Sequence, residues 1–301
     1  MRVINDIRKL GRLDMPVVVL GVFDGVHQGH QKILKAAVTK AKAIKGTSIA
    51  LTFWPHPQKE ESLYSLEHRL ELIAQNGIDV CVVIEFGRVF AAMKAEDFAE
   101  KILIKKIGAR YIYVGSNYRF GKGARGGRRL LEKLSRVYGF KLKVFDMVRI
   151  NHRPISSTAI RKLIKRGDIV RAARLLSRPV SVLGTVVKGD SLARALGFPT
   201  ANIDPHHEVL PPSGVYAVKI ILGKKKLKGV SSIGTKPTFK SGRLQHIEVH
   251  IFNFRKNIYG KYLEVQFIKK IRGQEKFSSR LALAEQIKKD VSEAKKILSL
   301  H

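Results

Sequence analysis

Two histidines three positions apart, His27 and His30, fall within the segment GVFDGVHQGH at residues 21–30. Residues 16–23 form a short apolar run, the pair Asp24-Gly25 breaks it, and a helical pattern follows from about Gln28 to Lys45. This order reads as buried strand, tight turn and helix. Gly25 and Gly29 let backbone approach a ligand closely. The start of a helix presents free N–H groups and a partial positive charge, which favours phosphate. Imidazoles on the same side of that helix start donate to phosphate oxygens. Gly21, Phe23, Asp24, Gly25, His27 and His30 therefore read as a triphosphate cradle. It needs no covalent nucleophile, only charge stabilisation as an incoming phosphate oxygen attacks the α-phosphorus of ATP. The bland alternative is a pair of histidines at a helix cap. A metal centre is disfavoured, because no third or fourth ligand stands at suitable spacing.

A second polar group is ISSTAIR, residues 155–161. Ser156, Ser157 and Thr158 stand where a helix would begin, so their hydroxyls cap it or meet phosphate. Arg161, one turn on, has a guanidinium fork suited to phosphate oxygens. Aromatic and small residues between 114 and 126 can line a flat pocket, with Asn117 either a turn residue or a ligand contact. Phe53 and Trp54 read as core rather than as a stacking platform.

These residues need a frame. Strand-length runs at 47–54, 79–86, 110–115 and 140–146 alternate with helical patterns at 66–76, 89–106 and 128–138. That order predicts a parallel sheet covered by helices, a Rossmann-like α/β domain. Residues 156–177 read as two short basic helices broken at Gly167. The pattern changes at Arg178-Pro179. From there to about 271, short apolar runs alternate with turn signals such as 211–214, Gly223-Lys224 and Ser241-Gly242, which predicts an antiparallel barrel. Residues 278–299 close the chain as an amphipathic helix, with Leu281, Ala284, Ile287, Val291 and Ala294 on one stripe. At 301 residues and roughly 150 per domain, about two domains are expected, here 1–178 and 179–301.

Composition narrows the classes. No run approaches the ~18 apolar residues of a spanning helix, and the N-terminus alternates charge with apolar residues too closely for a secretory signal. The single cysteine, Cys81, excludes an internal disulfide and an all-cysteine metal site, in keeping with a reducing cytoplasm. The net charge of +33 is uneven: residues 101–178 hold 22 basic and 3 acidic side chains. Such a field attracts polyanions, or simply coats solvated faces.

The segment at 21–30 resembles the H-x-G-H nucleotidyltransferases, and in its longer form the adenylyltransferase half of the prokaryotic bifunctional riboflavin kinase/FAD synthetases. FWPHP at 53–57, VGSNYRFGKGARG at 114–126 and the Ser-Ser-Thr-x-x-Arg of 156–161 resemble three further elements of that family. The resemblance implies that Asn117, Pro55 and His56 contact FMN, and that Ser156, Ser157, Thr158 and Arg161 contact ATP. The C-terminal half carries Pro199-Thr200-Ala201-Asn202, similar to the riboflavin kinase signature on a six-stranded barrel. LPPSGVYAV at 210–218, SSIGTKPTF at 231–239, IEVHIFNF at 247–254 and IRGQEKF at 271–277 resemble its other elements. By that match Thr200 and Asn202 bind Mg²⁺ and nucleotide phosphates, oxygen donors that suit this ion. Glu248 is the general base, while Gly189, Pro199 and Arg272 contact nucleotide or flavin. The loop 188–194 departs from the family pattern, with Ala193 in place of a common glycine, and Ser232 and Asn253 replace the usual Asn and Asp.

The implied function is flavin cofactor synthesis. Riboflavin is phosphorylated to FMN, and FMN is adenylylated to FAD with release of pyrophosphate. ATP is the co-substrate, Mg²⁺ the metal, and riboflavin, FMN and FAD are substrates and products. The loop departures favour, as the alternative, an FMN adenylyltransferase with a weakened kinase domain. A nucleic-acid binder is a weaker alternative, because the basic loop 121–129 comes without a recognised nucleic-acid module. Neither nucleic acid nor membrane is expected as a partner; weak self-association is compatible with the sequence.

Overall fold

The computed structural model describes residues 1–56, 61–189, 196–238 and 242–300, without the side chains of 235–238 and 242–245. Pro57, Phe239, Ser241 and the departing loop positions 190–194 lie outside the described residues. The chain forms two compact units. One is Met1–Ser62 with Leu66–Ser157; the other is Leu63–Ser65 with Thr158–His301.

The first unit runs β1 (Arg2–Ile4), β2 (Val17–Leu20), α1 (Gln28–Ala43), β3 (Ser48–Trp54), α2 (Leu66–Gln75), β4 (Val80–Glu85), α3 (Arg88–Ala91), α4 (Ala95–Asp97), β5 (Tyr111–Gly115), α5 (Arg128–Tyr138) and β6 (Lys141–Phe145). Six strands pair in the order β1-β4-β3-β2-β5-β6, all parallel. Val17, Val18, Val19 and Leu20 are all buried, as a strand covered on both faces requires. From β2 the chain steps outward to β3 and β4, then crosses back to β5 on the other side. Ligands in such sheets settle at the carboxyl ends of the strands flanking that reversal.

Two expectations change here. The sequence pattern at 89–106 predicts one helix. The chain instead forms α3, leaves helical pairing, and resumes as α4 running into a π-helix over Phe98–Lys106. The Met93 carbonyl accepts from Lys122 N at 2.7 Å, which takes this stretch of backbone out of the helical ladder. Sheet edge β1, only three residues long and mostly exposed, has no counterpart in the sequence reading.

After the two-residue strands β7 (Arg149–Ile150) and β8 (Arg153–Pro154) come α6 (Ser157–Lys165) and α7 (Ile169–Leu176). Asp168 caps α7 through Arg171 N. The barrel comprises β9 (Val180–Val187), β10 (Ala201–Asp204), β11 (Gly214–Leu222), β12 (Lys225–Thr238), β13 (Gly242–Ile251) and β14 (Tyr262–Arg272), and α8 (Arg280–Ser299) ends the chain. The strands close in the order β10-β13-β12-β11-β14-β9, every pair antiparallel. Closure removes free sheet edges.

On β13 Ile247, Val249 and Ile251 are buried, and His246, Glu248 and His250 between them are partly exposed. Alternate residues face opposite sides of a strand, so Glu248 shares the outward side. That side also carries Val215, Ala217 and Val230, which α8 covers with Ala294, Ile297 and Leu298. Leu281, expected on the apolar stripe, is instead 73% exposed. The buried face of α8 lies toward its C-terminal half and includes Asp290.

Candidate active sites

The segment 21–30 leaves β2 through a tight turn. Phe23, Gly25 and Val26 have φ of +54°, +79° and +35°. A phenylalanine and a valine in this region are strained, and surrounding structure must hold them there. Three side chains contribute through carbonyls of the turn. Thr52 Oγ1 donates to Val22 O at 2.8 Å, Ser157 Oγ to Asp24 O at 2.8 Å, and Gln31 Nε2 to Val26 O at 2.9 Å. Gly21 leaves room for the buried Phe23 ring, which a Cβ there would strike at 2.8 Å.

His27 is the cap residue of α1, and its side chain makes no capping hydrogen bond; the first turn holds no acidic residue. The helix start thus keeps its positive character. The rings of His27 and His30 stack at 3.7 Å with planes 18° apart, and Phe23 meets His30 edge-on at 5.4 Å. Both imidazoles therefore lie together at the carboxyl end of β2. Asn117 follows β5, the strand on the far side of the reversal. Its Oδ1 lies so near Gly115 that a Cβ there would sit 3.2 Å away, with Ile33 of α1 at 3.9 Å. Ser156 and Ser157 complete this unit's set, and Ser157 touches the turn directly. Thr158, exposed, and Arg161, buried, belong to α6 in the second unit, so the division runs through the Ser-Ser-Thr-x-x-Arg segment itself.

Pro55 is exposed and His56 half-buried just past β3; Phe53 packs in the core against Phe90 and Phe98. Tyr118 stacks on Phe120 at 5.7 Å. Burial raises its hydroxyl pKa.

In the second unit the chemistry-bearing residues share one cross-strand row. Glu248 pairs with Asn202 on β10 and with Ser232 on β12; Ser232 pairs with Val215 on β11, and Val215 with Arg272 on β14. Cross-strand partners project to the same side, so Asn202, Glu248, Ser232 and Arg272 line the outward side of the barrel. Gly189 lies against Asn202: a Cβ there would sit 2.0 Å from the carboxamide nitrogen. Pro199 O is 2.9 Å from His250 Nδ1, which ties the segment 199–202 to the strand of Glu248. His246 Nε2 stands 3.6 Å from Glu248 Oε1.

Arg272 donates to both oxygens of Asp290, at 2.9 and 2.7 Å, and to Gly273 O. The Asp290 carboxylate raises the guanidinium's pKa. Gln286 also donates to Asp290, and Gln274 Nε2 reaches Ser232 Oγ and Ile233 O, both at 3.0 Å. Gln274, Gln286 and Asp290 escaped the sequence reading, since polar residues on an amphipathic helix or loop read as solvated.

Among the described residues, no three His, Cys, Asp or Glu side chains gather as a metal site. No helix among them is long and apolar enough to cross a membrane.

Comparison with known proteins divides the chain similarly. A family model described as FAD synthetase matches residues 12–159, and one described as riboflavin kinase matches 176–298. A Buchnera aphidicola (subsp. Schizaphis graminum) protein named bifunctional riboflavin kinase/FMN adenylyltransferase is 36% identical over the full length of both chains. The Escherichia coli K12 protein of the same name is 34% identical, covering 100% of this chain and 99% of its own. Among solved structures, one of a protein named macrolide-efflux protein from Streptococcus pneumoniae superposes with a TM-score of 0.81 at 30% identity, covering 96% of each chain.

Proposed function

Because this chain belongs to the bifunctional riboflavin kinase/FMN adenylyltransferase family, we propose a division of two ATP-dependent reactions between its two sites. The barrel part, residues 179–301, phosphorylates riboflavin: the ribityl hydroxyl attacks the γ-phosphorus of ATP, giving FMN and ADP. The part at 1–178 adenylylates FMN: an FMN phosphate oxygen attacks the α-phosphorus of a second ATP, giving FAD and pyrophosphate.

In the first reaction Glu248 takes the proton of the attacking hydroxyl. Gly189, Pro199, Thr200 and Asn202 hold the nucleotide phosphates, and Arg272 borders the flavin end of the row. A hydroxyl and a carboxamide beside a carboxylate make an oxygen donor set that fits Mg²⁺, with remaining positions left to phosphate and water. When bound, Mg²⁺ offsets charge on the transferred phosphoryl group. In the second reaction the start of α1, with His27 and His30, receives the triphosphate and stabilises charge at the α-phosphorus. Ser156 and Ser157 of the same unit add donors, and Asn117, Pro55 and His56 border FMN.

The observation that carries this reading is the register of Glu248. It pairs with Asn202 on one side and Ser232 on the other, so the proposed base and phosphate ligand share one side of the barrel. The test is incubation with riboflavin, ATP and Mg²⁺, with riboflavin, FMN and FAD separated by chromatography. FAD appearing through FMN supports both assignments. Unchanged riboflavin with FMN still converted to FAD removes the kinase assignment. No product from either flavin removes both.

A further inference from the structure

We propose that Arg69 is a positioning residue for adenylylation, fastening the strained turn at 23–26 and balancing the charge of Asp24. The inference rests on the reading that this turn and the start of α1 receive ATP. Arg69 lies on α2, far from the motifs in sequence, and its side chain is 0% exposed. Its Nη1 donates to Val22 O at 3.0 Å and to Phe53 O at 3.3 Å, carbonyls just past β2 and near the end of the adjacent β3. Its Nη2 is 3.7 Å from Asp24 Oδ1, and the guanidinium lies 5.2 Å from the Trp54 ring.

Each contact touches a segment that the site needs. Val22 O is the last carbonyl before Phe23, the first strained residue of the turn. Phe53 O precedes the Pro55-His56 segment by two residues. A buried cation is costly, and an apolar side chain of similar size would usually pack at no loss of stability. A guanidinium does here what an apolar chain cannot. Through Nη1 it joins two carbonyls, and its Nη2 stands beside a carboxylate that is itself 1% exposed, two arms of one planar fork. Without it, the turn proposed to meet a triphosphate would lose the cation beside its buried carboxylate.

Fork and charge separate experimentally. Arg69→Met removes both, Arg69→Lys keeps the charge and loses the fork, and Arg69→Met with Asp24→Asn removes both charges. For each full chain, kcat and KM for ATP in FMN-to-FAD conversion are measured. Riboflavin phosphorylation and the thermal melt of the same preparation serve as controls. Arg69→Met should lower kcat ~100-fold, the cost of reacting groups displaced by about 1 Å. It should also raise KM for ATP about tenfold, the effect of losing one nearby positive charge. Arg69→Lys and the double variant should recover KM while kcat stays low. Riboflavin phosphorylation should stay within about twofold of wild type, since the Arg69 contacts described above all lie in the first unit.

If Arg69→Met does not fold, Arg69→Lys decides by the same split. A folded variant with wild-type kcat overturns the proposal. So does a parallel fall in both activities with the melting temperature, which marks a merely structural arginine. A wild-type chain that forms no FAD from supplied FMN removes the reading beneath it, a result separate from normal wild type with normal variants.

Discussion

The two sites position their groups by different means. In the first unit the two histidines of the proposed site are close in sequence, and the backbone carries their geometry. A turn with three left-handed residues is held by its carbonyls, and two imidazoles ride on the helix that follows. In the second unit the residues are far apart in sequence, and strand pairing carries the geometry. Asn202, Glu248, Ser232 and Arg272 fall in one cross-strand row because the pairing of five strands aligns them. A turn fails by relaxing locally, whereas a row fails by slipping, which would send every side chain to the other face.

The sharpest way to break this comparison is at the proposed base. Glu248→Gln should lower FMN formation by about three orders of magnitude, within the range of general-base catalysis, and leave FMN-to-FAD conversion intact. Retained phosphorylation would mean that the row does not hold the base. Next is His30→Ala, expected to cut FAD formation ~100-fold without touching riboflavin phosphorylation; quantified FAD from supplied FMN checks it.

Third is Asp290→Ala, which strips the partner from a mostly buried guanidinium. It should cost about 3 kcal/mol of stability in the barrel unit, read as an earlier transition in chemical denaturation. An unchanged transition would show that α8 is not pinned through Arg272.

Glycine-to-alanine changes then compare turn with row. Gly189→Ala drives a Cβ into the Asn202 carboxamide and should slow phosphorylation about tenfold, because the proposed phosphate ligand must swing away. Gly29→Ala meets the His27 ring at 3.2 Å and should slow adenylylation by only about threefold, because a ring can tilt. Equal effects would erase the distinction between the two sites. The smallest expected effect is none at all. The Cys81 thiol, buried in β4 and with its pKa raised to about 12 by that burial, should not react with a thiol reagent at neutral pH until the protein is unfolded. Fast reaction in the native state would show that the sheet opens.

The turn proposed to bind nucleotide was legible because all its parts lie in ten consecutive residues, and strand, Asp-Gly and helix start follow one another without tertiary information. The barrel was legible as short alternating runs, and Glu248 as a strand residue. Its neighbours came only from pairing, since nothing in residues 202 or 232 announces that they flank it. Arg69 was illegible for a plainer reason. With Leu72 and Ile73 it occupies the buried face of α2, and an arginine on a short helix reads as solvated unless its carbonyl partners, 16 and 47 residues away, are seen. The break at 92–94 was hidden too, because it answers to Lys122, beyond the window that any periodicity samples.

Alternation along β13 has a consequence for how this enzyme can change. Ile247, Val249 and Ile251 build the interior, and His246, Glu248 and His250 face outward on the side of the proposed site, so neighbouring positions carry different physical demands. Changes at the outward positions should act on turnover more than on the fold, and repacking inside should act on heat tolerance more than on turnover. A saturation scan of this one strand, scored separately for folded yield and for product, should show the two scores taking turns from residue to residue.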